Sequence, residues 1–182
     1  MTLRRTVRWR PLEYAGLEHL MLEETAEGYR ARSTVIGSFE GVDYGASYDL
    51  ALAPDWTFRS LDLRRADGAA LGLRADGKGR WADDAGREFA TLEGCIDIDI
   101  SATPFTNTLP IRRLGLAAGE SRRLRIAWVP MDSLEPFVDE QIYTKVDDTH
   151  WRYAAADGSF DADIVVDFDG LVVDYPPLFA RI

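Results

Sequence analysis

Cysteine and histidine are scarce in this sequence. Cys95 is the single cysteine, so no disulfide can form within the chain, and this composition is typical of a protein in a reducing compartment. The two histidines, His19 and His150, stand far apart and form no ligand cluster of recognised spacing with Cys95. We therefore expect a cytoplasmic protein without a bound metal.

Long hydrophobic runs are also missing. No stretch of about 18 apolar residues exists, which predicts no transmembrane segment. The basic start of the chain is not followed by the apolar core of a secretory signal. The formal net charge of −10 repels phosphate backbones and argues against nucleic-acid binding. Phosphate-binding glycine loops and the nucleophile elbow of hydrolases are absent, so we expect no cofactor and no recognised catalytic motif.

Short strands joined by tight turns dominate what is present. Asp-Gly favours the two-residue turns of β-hairpins because it tolerates positive φ angles. The chain contains four such pairs, Asp67-Gly68, Asp76-Gly77, Asp157-Gly158 and Asp169-Gly170. Apolar residues alternate between them with a period of two, as expected for half-buried strands. The predicted strands are 18–24, 29–39, 44–52, 56–65, 69–74, 95–100, 123–128, 141–147, 149–155, 162–168 and 171–175. In the segment 162–168, the alternation predicts that Ala162, Ile164, Val166 and Phe168 share the buried face.

One helical segment interrupts this pattern. Thr103 is suited to cap a helix and Pro104 to occupy its first position, whereas Pro110 is expected to end the helix early. The segment 102–113 joins two β-rich halves, residues 1–101 and 114–182. Because no flexible linker separates the halves, the sequence predicts a single mainly-β domain over residues 1–182.

Few residues are candidates for catalysis. Asp97 and Asp99 share a strand face with Cys95, opposite three isoleucines, and we interpret that face as solvated and Cys95 as a small buried filler. His19 shares a strand face with apolar neighbours and is interpreted as a partly buried, hydrogen-bonded residue. An enzyme would need His19, Asp97, Asp99 and Cys95 to meet in one cleft.

Aromatic residues are concentrated in the second half of the chain. Most of them are expected in the core, but a few can line a pocket for an apolar or sugar-bearing ligand. The aromatic candidates for ligand binding are Trp128, Tyr143, Trp151 and Tyr153. Arg112 and Arg113 follow the helical segment and can hold an anionic head group, or they can face solvent.

The run from Gly94 to Arg113, GCIDIDISATPFTNTLPIRR, resembles the hallmark of a glycolipid-binding family of bacterial proteins that was long known as a domain of unknown function. Segments 17–20, 33–37, 76–81, 141–144, 151–153 and 170–179 fit the same pattern. The resemblance implies an antiparallel spiral β-roll wrapped around one short central helix at Thr103. It also implies a similarity to bacterial carriers of lipid chains. It implies no catalytic residues, since the family has none assigned.

Binding of an amphipathic ligand, such as a glycolipid, is therefore the function that the sequence favours. This hypothesis requires apolar space inside the roll that the protein's own side chains leave open. Two alternatives remain. One is a structural scaffold, in which edge strands pair to form a homodimer. The other is an enzyme with an unrecognised site.

Overall fold

The computed structural model describes residues 3–182. Over this range the chain forms one sheet of fourteen strands in the order β7-β6-β5-β4-β3-β2-β1-β14-β13-β12-β11-β10-β9-β8. The strands are β1 (Arg4–Pro11), β2 (Leu17–Thr25), β3 (Gly28–Phe39), β4 (Val42–Leu52), β5 (Phe58–Arg65), β6 (Ala70–Ala75), β7 (Trp81–Ala82), β8 (Asp97–Ile100), β9 (Ser121–Val129), β10 (Phe137–Lys145), β11 (His150–Ala155), β12 (Asp161–Val166), β13 (Val172–Tyr175) and β14 (Phe179–Arg181). No helix among the described residues has the length and apolar character needed to cross a membrane.

The two ends of the chain pair in the middle of the sheet. β1 lies between β2 and β14 and pairs antiparallel with both. From that centre, hairpins lead outwards on one side to β7 and on the other to β9. Every pair of neighbouring strands is antiparallel except β8 and β9, which run parallel because the helical segment connects them. The predicted mainly-β, antiparallel architecture is confirmed, with this one parallel pair.

The helical segment consists of two short pieces. A 3-10 turn spans Pro104–Asn107 and leads directly into α1, Thr108–Arg113. Thr103 caps the segment as predicted, since its hydroxyl accepts a hydrogen bond of 3.0 Å from the Phe105 amide. The prediction that Pro110 ends the helix was wrong. Pro110 is the third residue of α1, in the first turn, where a missing N–H breaks no bond within α1.

The sheet wraps around this segment, which confirms the β-roll around a short helix. Residues 104–111 are all buried. Phe105 and Leu109 belong to the larger hydrophobic cluster, with the apolar residues of β1–β6 and β8, and both are fully enclosed. Ile111 belongs to a smaller cluster with Tyr143, Ile164 and other residues of β9–β14. The helical segment thus connects two cores that are filled by the protein's own side chains.

The alternation predicted for segment 162–168 holds only as far as the strand extends. Ala162, Ile164 and Val166 are buried as predicted, but Phe168 is 90% exposed. β12 ends at Val166, and the chain then turns at Asp167–Gly170, where the carbonyl of Asp167 accepts from the Gly170 amide. The predicted inward position of Phe168 was wrong because the period-two rule applies only within a strand.

Candidate functional site

A partly open cleft of about 190 Å³ lies between residues of both halves of the chain. Its floor is polar and is formed by the end of β8 and the start of the helical segment. Its walls are aromatic and come from both halves of the chain. The floor residues are Asp99, Ser101, Thr103 and Asn107, the wall residues include Phe39, Trp128, Tyr153, Phe160, Tyr175 and Phe179, and Glu13 and Tyr14 stand at the rim. This volume slightly exceeds the cavity of about 150 Å³ that accepts a benzene ring.

The floor is held in place by side-chain hydrogen bonds. Asp99 accepts from the Thr106 hydroxyl at 2.7 Å and from the Gln141 side-chain amide at 2.9 Å. Asn107 accepts from the buried Tyr143 hydroxyl at 2.9 Å. Burial raises the pKa of Asp99 above its usual range, and the hydrogen bonds from Gln141 and Thr106 oppose that shift. The floor therefore contains a carboxyl group that hydrogen bonds hold in position and whose ionised form is destabilised by burial.

Three rings of the wall contact one another. Tyr153 lies on β11, Phe160 precedes β12 and Tyr175 ends β13. Their ring centroids are 5.9 Å apart for Tyr153 and Phe160, 6.2 Å for Tyr153 and Tyr175, and 6.5 Å for Phe160 and Tyr175. These separations are normal for packed aromatic pairs, so the three rings form a preformed surface.

A second set of rings extends from the cleft to the protein surface. Trp128 contacts Phe39 at 5.6 Å and Phe137 at 5.1 Å between ring centroids, in edge-to-face arrangements. Phe39 and Trp128 line the cleft, whereas Phe137 lies outside it and is 48% exposed. We call these three residues the aromatic ridge. It forms an apolar path that continues the cleft onto the outer surface.

A buried carboxyl group lies next to the floor. Glu18 is 2% exposed, and its Oε1 accepts hydrogen bonds of 2.7 Å from both Ser33 and Tyr48. Tyr48 is also 3.4 Å from the hydroxyl of Thr103, which links this network to the cleft. Burial raises the pKa of Glu18 to about 7. The sequence did not single out Glu18, although Glu18 is in phase with Leu20 and Leu22, which share its buried strand face.

The prediction of a solvated face for Asp97 and Asp99 was wrong. Asp97 is 1% exposed and forms a two-bond ion pair with Arg113 of α1, with an Nε–Oδ1 distance of 3.0 Å. The helical segment covers this face of β8, so the aspartates point towards α1 and the floor of the cleft instead of solvent. Cys95, on the same side, is buried as predicted.

The predicted ligand-binding residues do not all meet. Trp128 and Tyr153 line the cleft, and Tyr143 supports its floor through Asn107. Trp151 and Arg112 line a separate depression of about 160 Å³. The Arg112 guanidinium also lies 5.2 Å from the centroid of the Trp56 ring. Arg113 is engaged with Asp97.

The four residues considered for catalysis also have separate surroundings. Asp99 alone among His19, Asp97, Asp99 and Cys95 lines the cleft in the described part of the chain. His19 accepts a hydrogen bond from the Arg8 side chain at 3.1 Å, between partly exposed groups. Burial raises the pKa of the Cys95 thiol to about 11, which makes its nucleophilic thiolate rare near neutral pH. No cluster of three or more metal-ligating side chains occurs in residues 3–182.

Comparison with known proteins gives a consistent result. A crystal structure of a DUF1089 family protein from Pseudomonas aeruginosa is 40% identical in sequence, with a TM-score of 0.84 and coverage of 92% of each chain. None of the curated proteins matches the chain. The sequence profile of the family described as "Putative glycolipid-binding" matches residues 6–181. The chain therefore belongs to this family.

Proposed function

We propose that the protein binds an amphipathic glycolipid-like ligand, without altering it chemically. The sugar ring of the ligand occupies the cleft, and its alkyl chain lies along the aromatic ridge. The observation that carries the proposal is the union of aromatic walls and a polar floor in one cleft. Sugar rings bind to such sites because their C–H faces pack on aromatic rings while their hydroxyls bond to carboxylate and amide groups.

The size of the cleft favours a ligand whose sugar ring lies inside it and whose alkyl chain lies outside it. At about 190 Å³ it has room for one six-membered ring but falls below the 300 Å³ or so at which sites for larger ligands begin. The sequence hypothesis required open apolar space inside the roll, but Phe105 and Leu109 of the helical segment are fully buried in the apolar cluster. We therefore place the acyl chain outside the core. The exposed ridge residue Phe137 instead offers the chain an apolar surface outside the cleft.

We place this activity in the cytoplasm, in keeping with the single cysteine, which is free and buried. Of the residues proposed from the sequence, Trp128 and Tyr153 contact the sugar in the proposed complex. Tyr143 acts indirectly, by holding Asn107 in the floor.

Calorimetric titration with octyl and decyl glucosides, below the concentrations at which they aggregate, tests the proposal. Each methylene that is removed from water contributes about 0.8 kcal/mol. If the chain lies on the ridge, the decyl glucoside should bind roughly tenfold more tightly than the octyl glucoside. Absence of binding at millimolar concentrations of either glucoside would contradict the proposal.

Two exposed phenylalanines provide a matched pair of variants. Phe137→Ala removes the outer ring of the aromatic ridge. This variant should lose most of the difference in affinity between decyl and octyl glucoside. Phe168→Ala removes an equally large exposed ring outside the cleft and should leave both affinities unchanged. Equal effects of the two substitutions would show that the chain does not follow the ridge.

A further inference from the structure

The charged side chains that line the cleft are all acidic in the described part of the chain. Asp99 lies in the floor and Glu13 at the rim. Among residues 3–182, no lysine, arginine or histidine lines the cleft. An anionic head group, such as a phosphate or a uronic acid, would meet two carboxylates and no cation there. The lining therefore selects against negatively charged ligands.

Asp99 differs from its neighbour Asp97 in how its charge is balanced. Asp97 has the Arg113 guanidinium as a partner. The hydrogen bonds that Asp99 accepts come from the neutral groups of Thr106 and Gln141, and no ion pair to Asp99 occurs in the described part of the chain. Asp99 is half-buried, and a carboxylate with restricted access to solvent is stabilised by a nearby cation. Asp99 is thus a carboxylate without a cationic partner among the described residues.

A second carboxyl group near Asp99 increases this imbalance. Asp139 accepts from the same Gln141 amide nitrogen at 3.0 Å and raises the pKa of Asp99 by like-charge repulsion. A cation in the cleft would oppose both burial and repulsion, since an opposite charge at short range favours the ionised form.

The aromatic wall provides a second feature that favours a cation. Tyr153, Phe160 and Tyr175 form a cluster of three contacting rings in the same lining as Asp99. Aromatic faces attract ammonium groups, and cages of such rings recognise them in proteins. An ammonium group between these rings and Asp99 would interact favourably with both.

From this geometry, and resting on the function proposed above, we infer that the head group of the ligand carries a protonated amine. The ligand class is an amphipathic amino sugar. The amine donates hydrogen bonds to Asp99 and faces the three-ring cluster, while the uncharged part of the sugar packs against Trp128.

A series of octyl glycosides that differ in charge tests the inference. The series comprises octyl glucosaminide, octyl N-acetylglucosaminide, octyl glucoside and octyl glucuronide. Calorimetry is performed at a pH of about 6.5, where an amine of this kind is mostly protonated. We expect the glucosaminide to bind at least about tenfold more tightly than its N-acetylated counterpart and the glucoside, and the glucuronide to bind most weakly.

Asp99→Asn and Asp139→Asn form a matched pair of variants. Both remove one carboxylate that contacts Gln141, but Asp99 lines the cleft and Asp139 does not. Asp99→Asn should reduce the preference for the amine to about twofold or less, whereas Asp139→Asn should retain most of it. Thermal unfolding shows whether each variant is folded. If Asp99→Asn does not fold, the wild-type series still measures the preference for the amine.

The outcomes separate the two proposals. If the neutral and amino glycosides bind with equal affinity, the inference about the amine is overturned and the proposed function stands. If the preference for the amine persists in folded Asp99→Asn, the assignment to Asp99 is overturned. If no glycoside of the series binds, the proposed function fails and the inference fails with it.

Discussion

Glu18 is a carboxylic acid surrounded by the hydroxyl groups of Ser33, Tyr48 and Thr103. Burial raises its pKa from the ordinary 4.5 to about 7, so the folded protein holds this proton more tightly than the unfolded chain does. Between these two values the folded state binds more protons than the unfolded state. The free energy of unfolding therefore falls as the pH rises from 4.5 towards 7, and Glu18 causes no further change above that range.

Urea unfolding of Glu18→Gln across this pH range measures the contribution. At about 1.4 kcal/mol per pKa unit, wild type should lose roughly 3 kcal/mol that the variant retains. The pKa values of Asp97 and Asp99 are also raised, but both residues are present in the two proteins, so the difference isolates Glu18. Glu27→Gln, at an exposed turn, is the control and should follow wild type. Equal pH dependence in wild type and Glu18→Gln would refute this account of the network.

The ion pair between Asp97 and Arg113 gives a second prediction at the scale of single residues. Arg113→Ala leaves the carboxylate of Asp97 buried without a partner, and we expect a loss of about 3–5 kcal/mol in the free energy of unfolding. The adjacent Arg112→Ala removes an exposed side chain that lies over Trp56 and should cost about 1 kcal/mol or less. Denaturant unfolding of both variants measures the difference, and similar losses would contradict the importance of the pair.

At the scale of elements, β3 shows how one position without a side chain shapes the cleft. A Cβ atom at Gly37 would lie 2.7 Å from the Tyr44 hydroxyl oxygen and 2.9 Å from a ring carbon of the rim residue Tyr14. At Gly45, on the neighbouring strand, the nearest atoms would be 3.8 Å away, an ordinary contact distance. Gly37 thus allows two tyrosines to approach the strand beside the cleft.

Gly37→Ala should therefore lower stability by about 1–3 kcal/mol, as overpacking does, and should weaken glucoside binding because Tyr14 must move. Gly45→Ala is the matched control, and we expect it to change stability by less than about 0.5 kcal/mol. Thermal unfolding and calorimetric titration provide the two measurements. Normal stability and binding in Gly37→Ala would show that the tyrosines have room to move.

Most strands were predictable because the alternation of apolar residues is a local property. The prediction missed β1, β7 and β14, which are short or rich in arginine. β1 and β14 pair with each other although they lie at opposite ends of the sequence. Which face of a strand is buried was harder to predict. In β2, Leu17 and Met21 are exposed, while Glu18 lies inside because Ser33 and Tyr48 provide hydrogen bonds.

The residues of the cleft were also only partly predictable from the sequence. Trp128 and Tyr153 were identified as ligand-binding candidates from their residue types, since aromatic residues suit a sugar site. The position of Asp99 depends on the helical segment covering β8, which is a tertiary contact that strand periodicity does not reveal. The pattern of residues 95–100 by itself is the pattern of a strand with one solvated face.

At the scale of the whole molecule, the cleft joins the two halves of the chain. Tyr14, Phe39 and Asp99 come from the first half, and Trp128 and Tyr153 come from the second. A ligand held by both halves stabilises only the folded arrangement, in which the halves are together. Binding at a concentration of about 100 times the Kd should therefore raise the free energy of unfolding by about 2.7 kcal/mol.

A crystal structure of the protein with octyl glucoside bound would show whether the sugar ring occupies the cleft. We expect the sugar ring in the cleft, packed against Tyr153 and Trp128 and hydrogen-bonded to Asp99, with the octyl chain along Phe39 and Phe137. A ring bound outside this cleft, or a cleft that stays empty of sugar at saturating glucoside, would contradict it.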